Sequence, residues 1–227
     1  MSDTTEILPH RVLHLQERVL GRNQEQAERN RRTFGAAGVT VVNVLSAPGS
    51  GKTALLERTL IDLKDEVRAA VIVGDLATDN DARRLARSEA TIVQITTGTI
   101  CHLEASMIAR ACEDIDLTTL DLLFIENVGN LVCPASFDLG ESLRVVLTAV
   151  TEGEDKPLKY PTLFKTADLA VVTKIELAAA CGFEPKMLHD NIGKIAPQAA
   201  IVELSARTGQ GLSAGYTRPR GLVHARA

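Results

Sequence analysis

Seven short apolar runs limit how this chain can fold more than any other feature of its sequence. Each run consists almost entirely of Val, Ile, Leu and similar residues, and they lie at 41–45, 71–73, 92–95, 122–125, 145–150, 169–172 and 201–204. Apolar residues at successive positions indicate strands that are buried on both faces, and the helix-like segments between them predict crossover connections. The pattern therefore predicts an α/β fold with a mainly parallel, doubly wound sheet.

The composition excludes several other classes of protein. With 45% hydrophobic and 24% charged residues in 227, the chain can bury a sizeable core, which argues against disorder, collagen and a small disulfide-rich protein. There are 25 basic and 29 acidic residues, a net charge of −4. This balance gives no general basic surface, so we expect neither nucleic acid nor a membrane as a partner.

The sequence shows no recognisable targeting signal, which predicts a cytoplasmic protein. The first nine residues include acidic ones and lack the apolar core of a signal peptide, and no run reaches the roughly 18 apolar residues of a membrane helix. We therefore expect a cytoplasmic protein whose four dispersed cysteines form no structural disulfides. Cys112 and Cys181 lie in apolar, helix-like surroundings, and we expect both in the core.

Three segments are predicted along the chain. Residues 1–37 form a leader with a helical pattern over 10–34, and residues 38–212 form a single nucleotide-binding domain. Residues 213–227 include Gly215, Pro219 and Gly221, which disfavour a closing helix. We expect this C-terminal tail to be irregular.

A phosphate-binding loop follows the first apolar run. Residues 46–53 read Ser-Ala-Pro-Gly-Ser-Gly-Lys-Thr and precede a helical pattern, as in a P-loop, although Ser46 stands where glycine is usual. The glycines let backbone N–H groups surround a phosphate, the lysine reaches the β and γ oxygens, and the threonine holds Mg²⁺. The predicted nucleotide contacts here are Gly49, Ser50, Gly51, Lys52, Thr53 and Ala54.

Two acids follow neighbouring apolar runs. Asp75 comes after the second run and Glu126 after the fourth, so both point to the cleft at the carboxyl ends of the strands. We predict that they join Thr53 around Mg²⁺ and form the catalytic group with Lys52. In this group Lys52 neutralises phosphate charge, and Asp75 or Glu126 orients water. Gly129 completes a Glu-Asn-Val-Gly sequence similar to the Asp-x-x-Gly segment of GTPases, in which the glycine N–H meets the γ-phosphate.

A second sequence element concerns the base. Thr173-Lys174-Ile175-Glu176 resembles the Asn-Lys-x-Asp guanine motif with two positions altered, and Ser205-Ala206 resembles the second guanine element. A carboxylate at Glu176 could accept from the N1–H and amino group of guanine, a donor pair that adenine lacks. Together the elements favour GTP over ATP, whereas either alone would fit ordinary loop charges.

Two cysteines and a histidine form a candidate metal site. Cys101 and His102 precede a helical pattern, and Cys133 lies seven residues beyond Glu126. Two thiolates and an imidazole suit Ni²⁺ or Zn²⁺, with a further ligand from water or from a second chain in a symmetric dimer. On spacing alone, buried cysteines of the core and a hydrogen-bonded surface histidine remain the alternative.

Together with the leader helix, four segments resemble the HypB family of hydrogenase nickel-incorporation GTPases. They are the P-loop, Thr-Gly-Thr-x-Cys-His-Leu, Ile-Glu-Asn-Val-Gly-Asn-Leu-Val-Cys-Pro and Lys-Tyr-Pro-x-x-Phe-x-x-Ala-Asp-Leu, within a match over about 10–212. The resemblance implies a SIMIBI-class P-loop GTPase that dimerises with GTP. It further implies delivery of nickel, with a HypA-type nickel chaperone, to the large subunit of [NiFe]-hydrogenase, and metal binding by Cys101, His102 and Cys133 at the dimer interface.

The sequence departs from the family in its N-terminal segment, and it is compatible with other functions. The Cys-rich or His-rich N-terminal segments of many relatives have no counterpart here, so we do not expect N-terminal nickel storage. The alternatives are a urease-type or cobalamin-type metallochaperone GTPase, a metal-binding dimer with a degenerate nucleotide site, and a small-molecule kinase.

Overall fold

The predicted strands are all present in the sheet. The computed structural model describes residues 9–224, and at 9–17, 218–220 and 222–224 it describes only the backbone. Seven strands form one sheet: β1 Thr40–Ser46, β2 Ala69–Asp75, β3 Thr91–Thr96, β4 Leu122–Glu126, β5 Leu143–Ala149, β6 Leu169–Thr173 and β7 Ala200–Glu203. Every apolar run coincides with a strand, except that Val150 lies just past β5 and Leu204 just past β7. The predicted α/β fold class is confirmed.

The sheet is parallel throughout and brings three strand ends together. Its order is β3-β2-β4-β1-β5-β6-β7, with each neighbouring pair parallel. In register, Glu126 of β4 lies beside Val44 of β1 and beside Val73 of β2. The carboxyl ends of these three strands therefore meet at one edge, where open α/β sheets bind ligands.

Helices cover both faces of the sheet. They are α1 Pro9–Ala37, α2 Lys52–Leu63, α3 Asn80–Leu85, α4 Ala105–Ala111, α5 Lys156–Lys159, α6 Pro161–Lys165, α7 Ala178–Cys181, α8 Pro185–Ile195 and α9 Leu212–His224. Alternate residues of β1 enter different clusters, as the two-residue period of a strand requires. Val42 packs with α2 and α9, Val41 with α1 and α4, and Leu45 with α6 and α8.

The helix predicted over 10–34 is present as α1, and it holds the start of α4 in place. The amide of Asn30 donates to the carbonyls of Ala105 (2.8 Å) and Leu139 (3.0 Å). The side-chain oxygen of Asn23 accepts from the N–H of Ala105 at 2.8 Å. Both asparagines are buried, so these bonds are shielded from water. The long first helix thus fixes the helix that follows the Cys101-His102 pair.

The C-terminal tail corrects the sequence prediction. Residues 213–224, expected to be irregular, belong to α9, whereas 225–227 lie outside the described residues. Leu212 and Tyr216 are buried in the cluster beneath α2. A Cβ on Gly215 would lie 3.1 Å from Leu204, so the small residue permits close packing. Burial of an apolar face outweighs the low helix propensity of glycine and proline, which the sequence prediction weighed alone.

The two remaining cysteines differ in their surroundings. Cys112 packs against the cluster of α1 and α4, and its burial raises the pKa of the thiol to about 11. Cys181 is exposed at the end of the short helix α7, so its predicted core position is wrong. An apolar sequence context does not bury a residue when its helix has only four residues and lies at the surface.

Removing the Tyr216 side chain should destabilise the protein measurably. Tyr216 is 7% exposed and its hydroxyl donates to Asp62 at 2.9 Å. We expect Tyr216→Ala to lower the free energy of unfolding by about 3 kcal/mol, measured by denaturant titration. Tyr216→Phe, which keeps the ring, should cost about 1 kcal/mol. An alanine variant as stable as wild type would contradict the packing of α9.

Candidate functional site

A cavity opens at the carboxyl ends of β1, β2 and β4. Its volume is about 520 Å³, and its wall contains most of the predicted phosphate-side residues. These are Gly49, Gly51, Lys52, Thr53, Ala54, Asp75, Glu126, Gly129 and Lys174. The cavity thus gathers residues that lie up to 125 positions apart in the chain.

The P-loop has the backbone conformation that its glycines predict. Gly49 has φ +76° and Gly51 φ +97°, a left-handed region that favours glycine. Gly51 is the cap residue of α2, and no side chain occupies the cap hydrogen bonds. The first N–H groups of α2 therefore face the cavity, where an anion could accept from them.

Lys52 is held at the centre of this loop. Its side chain is buried, and its ammonium donates to Oγ of Ser46 at 3.1 Å. Burial lowers the pKa of Lys52, although the charge of Glu126 partly opposes this effect. The serine that replaces the usual first glycine of the motif thus has a role, because it orients the lysine. A buried ammonium has lost the interactions with water that stabilise its charge, and phosphate oxygens could supply them instead.

Thr53 and Glu126 form a pair suited to Mg²⁺. The Thr53 hydroxyl donates to Oε1 of Glu126 at 2.7 Å, while Oε2 is buried with no hydrogen-bond partner among the described residues. Burial raises the pKa of Glu126 to about 7. Hydroxyl and carboxylate oxygens are ligands that Mg²⁺ accepts, and a divalent cation would satisfy the remaining carboxylate oxygen. The donor set therefore fits the ion.

Asp75 lines the same cavity and also accepts hydrogen bonds within the turn after β2. Its Oδ1 accepts from the backbone N–H of Ala77 (2.9 Å) and of Thr78 (2.7 Å). Burial opposes ionisation, but these hydrogen bonds and the charge of Lys52 outweigh it, so the pKa of Asp75 lies below its usual value. The carboxylate is ionised and shapes the turn after β2.

The raised pKa of Glu126 predicts a pH dependence of stability. The folded protein holds this proton up to about pH 7, whereas the unfolded chain releases it near 4.5. The free energy of unfolding of wild type should therefore fall between those pH values, relative to Glu126→Gln, by about 3 kcal/mol. Denaturant titrations of both proteins without nucleotide or metal would measure this difference. Parallel pH profiles would contradict a buried, protonated Glu126.

The predicted guanine elements divide into two groups. Thr173 donates to the carbonyl of Ser50 and Lys174 to that of Gly49, each at 2.6 Å, so both contact the P-loop. Glu176 and Ser205 do not line the cavity. Oε2 of Glu176 is buried without a hydrogen-bond partner among the described residues. Ser205 is buried in its own turn, where its hydroxyl accepts from Thr208 N–H at 3.0 Å, and Ala206 packs partly buried beside it.

The candidate metal ligands are brought together although they lie 32 residues apart. The thiols of Cys101 and Cys133 are 2.9 Å apart, and the ligand atoms of these residues and His102 lie within 4.8 Å of one another. Among the described residues, this is the only such group of three. A tetrahedral ion with sulfur bonds of ~2.3 Å needs its sulfurs about 3.8 Å apart, so the thiols must separate slightly on binding.

The surroundings of His102 suit a metal ligand. Its ring stacks on Phe137 with centroids 3.9 Å apart, and both ring nitrogens are buried without a hydrogen-bond partner among the described residues. Burial lowers the pKa of His102, although the nearby Glu104 opposes this effect. The lowered pKa favours the neutral imidazole, which is the form that binds metals. Nε2 of His102 lies 3.7 Å from Oε1 of Glu104, which is beyond hydrogen-bond distance. An ion could therefore supply the bonds that both buried ring nitrogens lack among the described residues.

Several functional neighbours escaped the sequence analysis. Glu152 accepts from the Ser50 hydroxyl at 2.6 Å and from Ala149 N–H at 2.9 Å, so it anchors the P-loop. Asp81 lines the cavity, and Phe137 supports His102. None of these follows a motif, and each reaches the site only through the tertiary fold. None of the helices among residues 9–224 has the length and apolar character needed to cross a membrane.

Comparisons with known proteins agree with this geometry. The CobW/HypB/UreG nucleotide-binding domain matches residues 40–203. The hydrogenase maturation factor HypB of Rhizobium leguminosarum bv. viciae is 47% identical over 206 residues, which is 91% of this chain and 69% of that protein.

Two solved structures share the fold closely. HypB from Archaeoglobus fulgidus gives a TM-score of 0.84 at 40% identity, covering 89% of this chain and 99% of that one. HypB from Helicobacter pylori in complex with nickel gives 0.83 at 39% identity, covering 90% and 95%. With a P-loop cavity beside a Cys-His-Cys cluster and these relatives, the chain belongs to the HypB family of hydrogenase maturation factors.

Proposed function

We propose that this chain hydrolyses GTP and uses the nucleotide cycle to bind nickel and insert it during [NiFe]-hydrogenase maturation. One observation carries the proposal: residues 126–133 begin at the carboxylate beside Thr53 and end at the thiol beside Cys101. A change in the phosphate cavity can therefore reach the metal cluster through eight residues. Such a shared segment is the two-state element that coupling between sites requires.

GTP hydrolysis is accelerated mainly by electrostatic stabilisation of the charge on the phosphate oxygens. Lys52 and the N–H groups of Gly49 to Ala54 surround the phosphates, and Gly129 contributes its N–H to the γ-phosphate. Thr53 and Glu126, with Asp75, hold Mg²⁺, which supplies positive charge to the phosphate oxygens when bound. Asp75 or Glu126 orients the attacking water. Two observations support these roles: Lys52 is buried, and Oε2 of Glu126 has no hydrogen-bond partner within the described ranges.

Selection of guanine rests on the second group of residues. Oε2 of Glu176, which has no hydrogen-bond partner in the described part of the chain, suits the donor pair on guanine. Thr173 and Lys174 attach this element to the P-loop, and the backbone at Ser205 and Ala206 would reach the base oxygen. The longer Glu176, compared with aspartate, keeps the chemistry of the family motif.

Nickel is the proposed cargo, with Zn²⁺ as a competing ion. The relative from Helicobacter pylori was solved in complex with nickel. Cys101, His102 and Cys133 supply three donors, so water or a second copy of the chain completes the coordination. We infer a GTP-dependent homodimer with this cluster at its interface, which receives nickel from a HypA-type chaperone and delivers it to the hydrogenase large subunit. Residues 38–212 carry both sites, and 1–37 form the leader.

Equilibrium binding tests this proposal. Fluorescent GTP and ATP analogues would be titrated into the metal-free protein, followed by nickel titration with a non-hydrolysable GTP analogue and with GDP. We expect preference for GTP and a nickel affinity that differs between the two nucleotide states. Equal nickel affinity in both states would overturn the proposed coupling. Preference for ATP would instead support a P-loop enzyme of another kind.

A further inference from the structure

Two asparagine side chains hydrogen-bond to the backbone of the loop that carries two candidate metal ligands. We call residues 101–103 the metal loop, and Asn127 with Asn130 the asparagine clamp. Oδ1 of Asn127 accepts from the N–H of Leu103 at 3.3 Å, and Nδ2 of Asn130 donates to the carbonyl of Cys101 at 3.3 Å. The clamp therefore holds backbone groups on either side of His102.

Asn127 is fixed to the strand that leads into the P-loop. Its backbone N–H donates to the carbonyl of Val44 at 3.1 Å, and its Nδ2 donates to Oδ1 of Asn43 at 3.3 Å. The side chain is completely buried, and the preceding residue is Glu126, which accepts from Thr53. Buried, mutually oriented amides tolerate few arrangements, so the position of Asn127 follows that of the strand ends.

Asn130 follows the residue that touches the P-loop. A Cβ on Gly129 would lie 3.1 Å from Cα of Pro48, so this segment packs directly on the phosphate-binding loop. Oδ1 of Asn130 also accepts from Val132 N–H at 2.9 Å, which holds the turn before Cys133. A displacement of Gly129 toward a nucleotide would therefore move the amide that holds Cys101.

The metal loop has a further contact with the nucleotide side. Leu103 is fully buried, and a Cβ on Gly74 would lie 2.8 Å from its side chain. Gly74 immediately precedes Asp75 at the end of β2. This contact is apolar and has no preferred direction, whereas the two hydrogen bonds of the clamp are directional. The clamp is therefore the part of this junction that can set where the ligand atoms lie.

We propose that Asn127 and Asn130 are positioning residues that transmit the nucleotide state to the metal site. This inference rests on the proposed function and names the residues through which its coupling acts. In one nucleotide state the clamp holds Cys101 and His102 at binding distance from Cys133. In the other, displacement of residues 127–130 moves the metal loop relative to that thiol.

The test measures nickel affinity as a ratio between nucleotide states. Nickel is titrated against a chromophoric chelator with the full chain in GDP and in a non-hydrolysable GTP analogue. Allosteric couplings are typically 5- to 150-fold, so we expect a wild-type ratio of about that size. Asn127→Ala and Asn130→Ala should bring the ratio close to 1. Because the ratio is taken within each variant, it does not depend on any change in basal affinity.

Matched variants separate coupling from folding. Asn191→Ala removes another buried asparagine, which lies on α8 and donates from Nδ2 to the carbonyl of Glu154 at 2.9 Å. This variant should keep the wild-type ratio. Asn130→Asp keeps an acceptor for Val132 but loses the donor to Cys101, so it should lose coupling. This variant keeps the test decisive if Asn127→Ala does not fold. A wild-type ratio retained in Asn130→Asp would overturn the clamp alone. A wild-type ratio of 1 would overturn the proposed function together with the clamp.

Discussion

Replacing Lys52 by alanine is expected to lower the turnover number for GTP hydrolysis by about 100- to 1,000-fold. The Lys52 ammonium is buried at the start of α2 and already oriented by Ser46. A preorganised cation of this kind stabilises the charge that develops on phosphate oxygens without reorganisation. The remaining N–H groups of the loop cannot replace a full charge. Phosphate release at saturating GTP with Mg²⁺ measures the effect on turnover separately from binding.

Lys64→Ala provides the control for this experiment. Lys64 is an exposed lysine directly after the same helix, so its loss changes the net charge equally without touching the cavity. It should hydrolyse GTP at the wild-type rate. Circular dichroism should show both variants folded, because Ser46 retains a hydrogen bond to the carbonyl of Ala47 when the lysine is removed. Turnover by Lys52→Ala within threefold of wild type would contradict the proposed role.

Cys101→Ala is expected to weaken nickel and zinc binding by at least about 100-fold. Loss even of groups that only support metal ligands costs 10- to 100-fold in affinity, and Cys101 is a proposed ligand itself. Its thiol lies 2.9 Å from that of Cys133, so alanine would leave one thiolate and one imidazole. Competition with a chelator under reducing conditions, in the presence of the GTP analogue, measures the change in affinity.

Cys181→Ala is the matched control for the metal experiment. Cys181 is exposed, lies in α7 and does not belong to the group of candidate ligands, so its removal should leave metal affinity unchanged. The comparison separates a specific site from adventitious binding by any free thiol. Nickel affinity that fell equally in both variants, or in neither, would show that the Cys-His-Cys cluster does not bind the ion.

Local patterns in the sequence determined the elements and most of the donor groups. The seven apolar runs became strands because residues buried on both faces of a parallel sheet must be apolar at successive positions. The glycines of the P-loop follow from their positive φ angles, which other residues adopt at a cost. The identities of Lys52, Cys101 and His102 were likewise readable, since their chemistry is carried by residues adjacent in the chain.

Only the tertiary structure decided which of these groups meet and which helices form at the surface. The 2.9 Å contact between Cys101 and Cys133, the bond from Thr53 to Glu126 and the support of His102 by Phe137 join residues distant in sequence. The helix α9 forms because Tyr216 finds an apolar cluster to pack against, despite glycine and proline. Packing acts between residues brought together by the whole fold, and no local period encodes those distances.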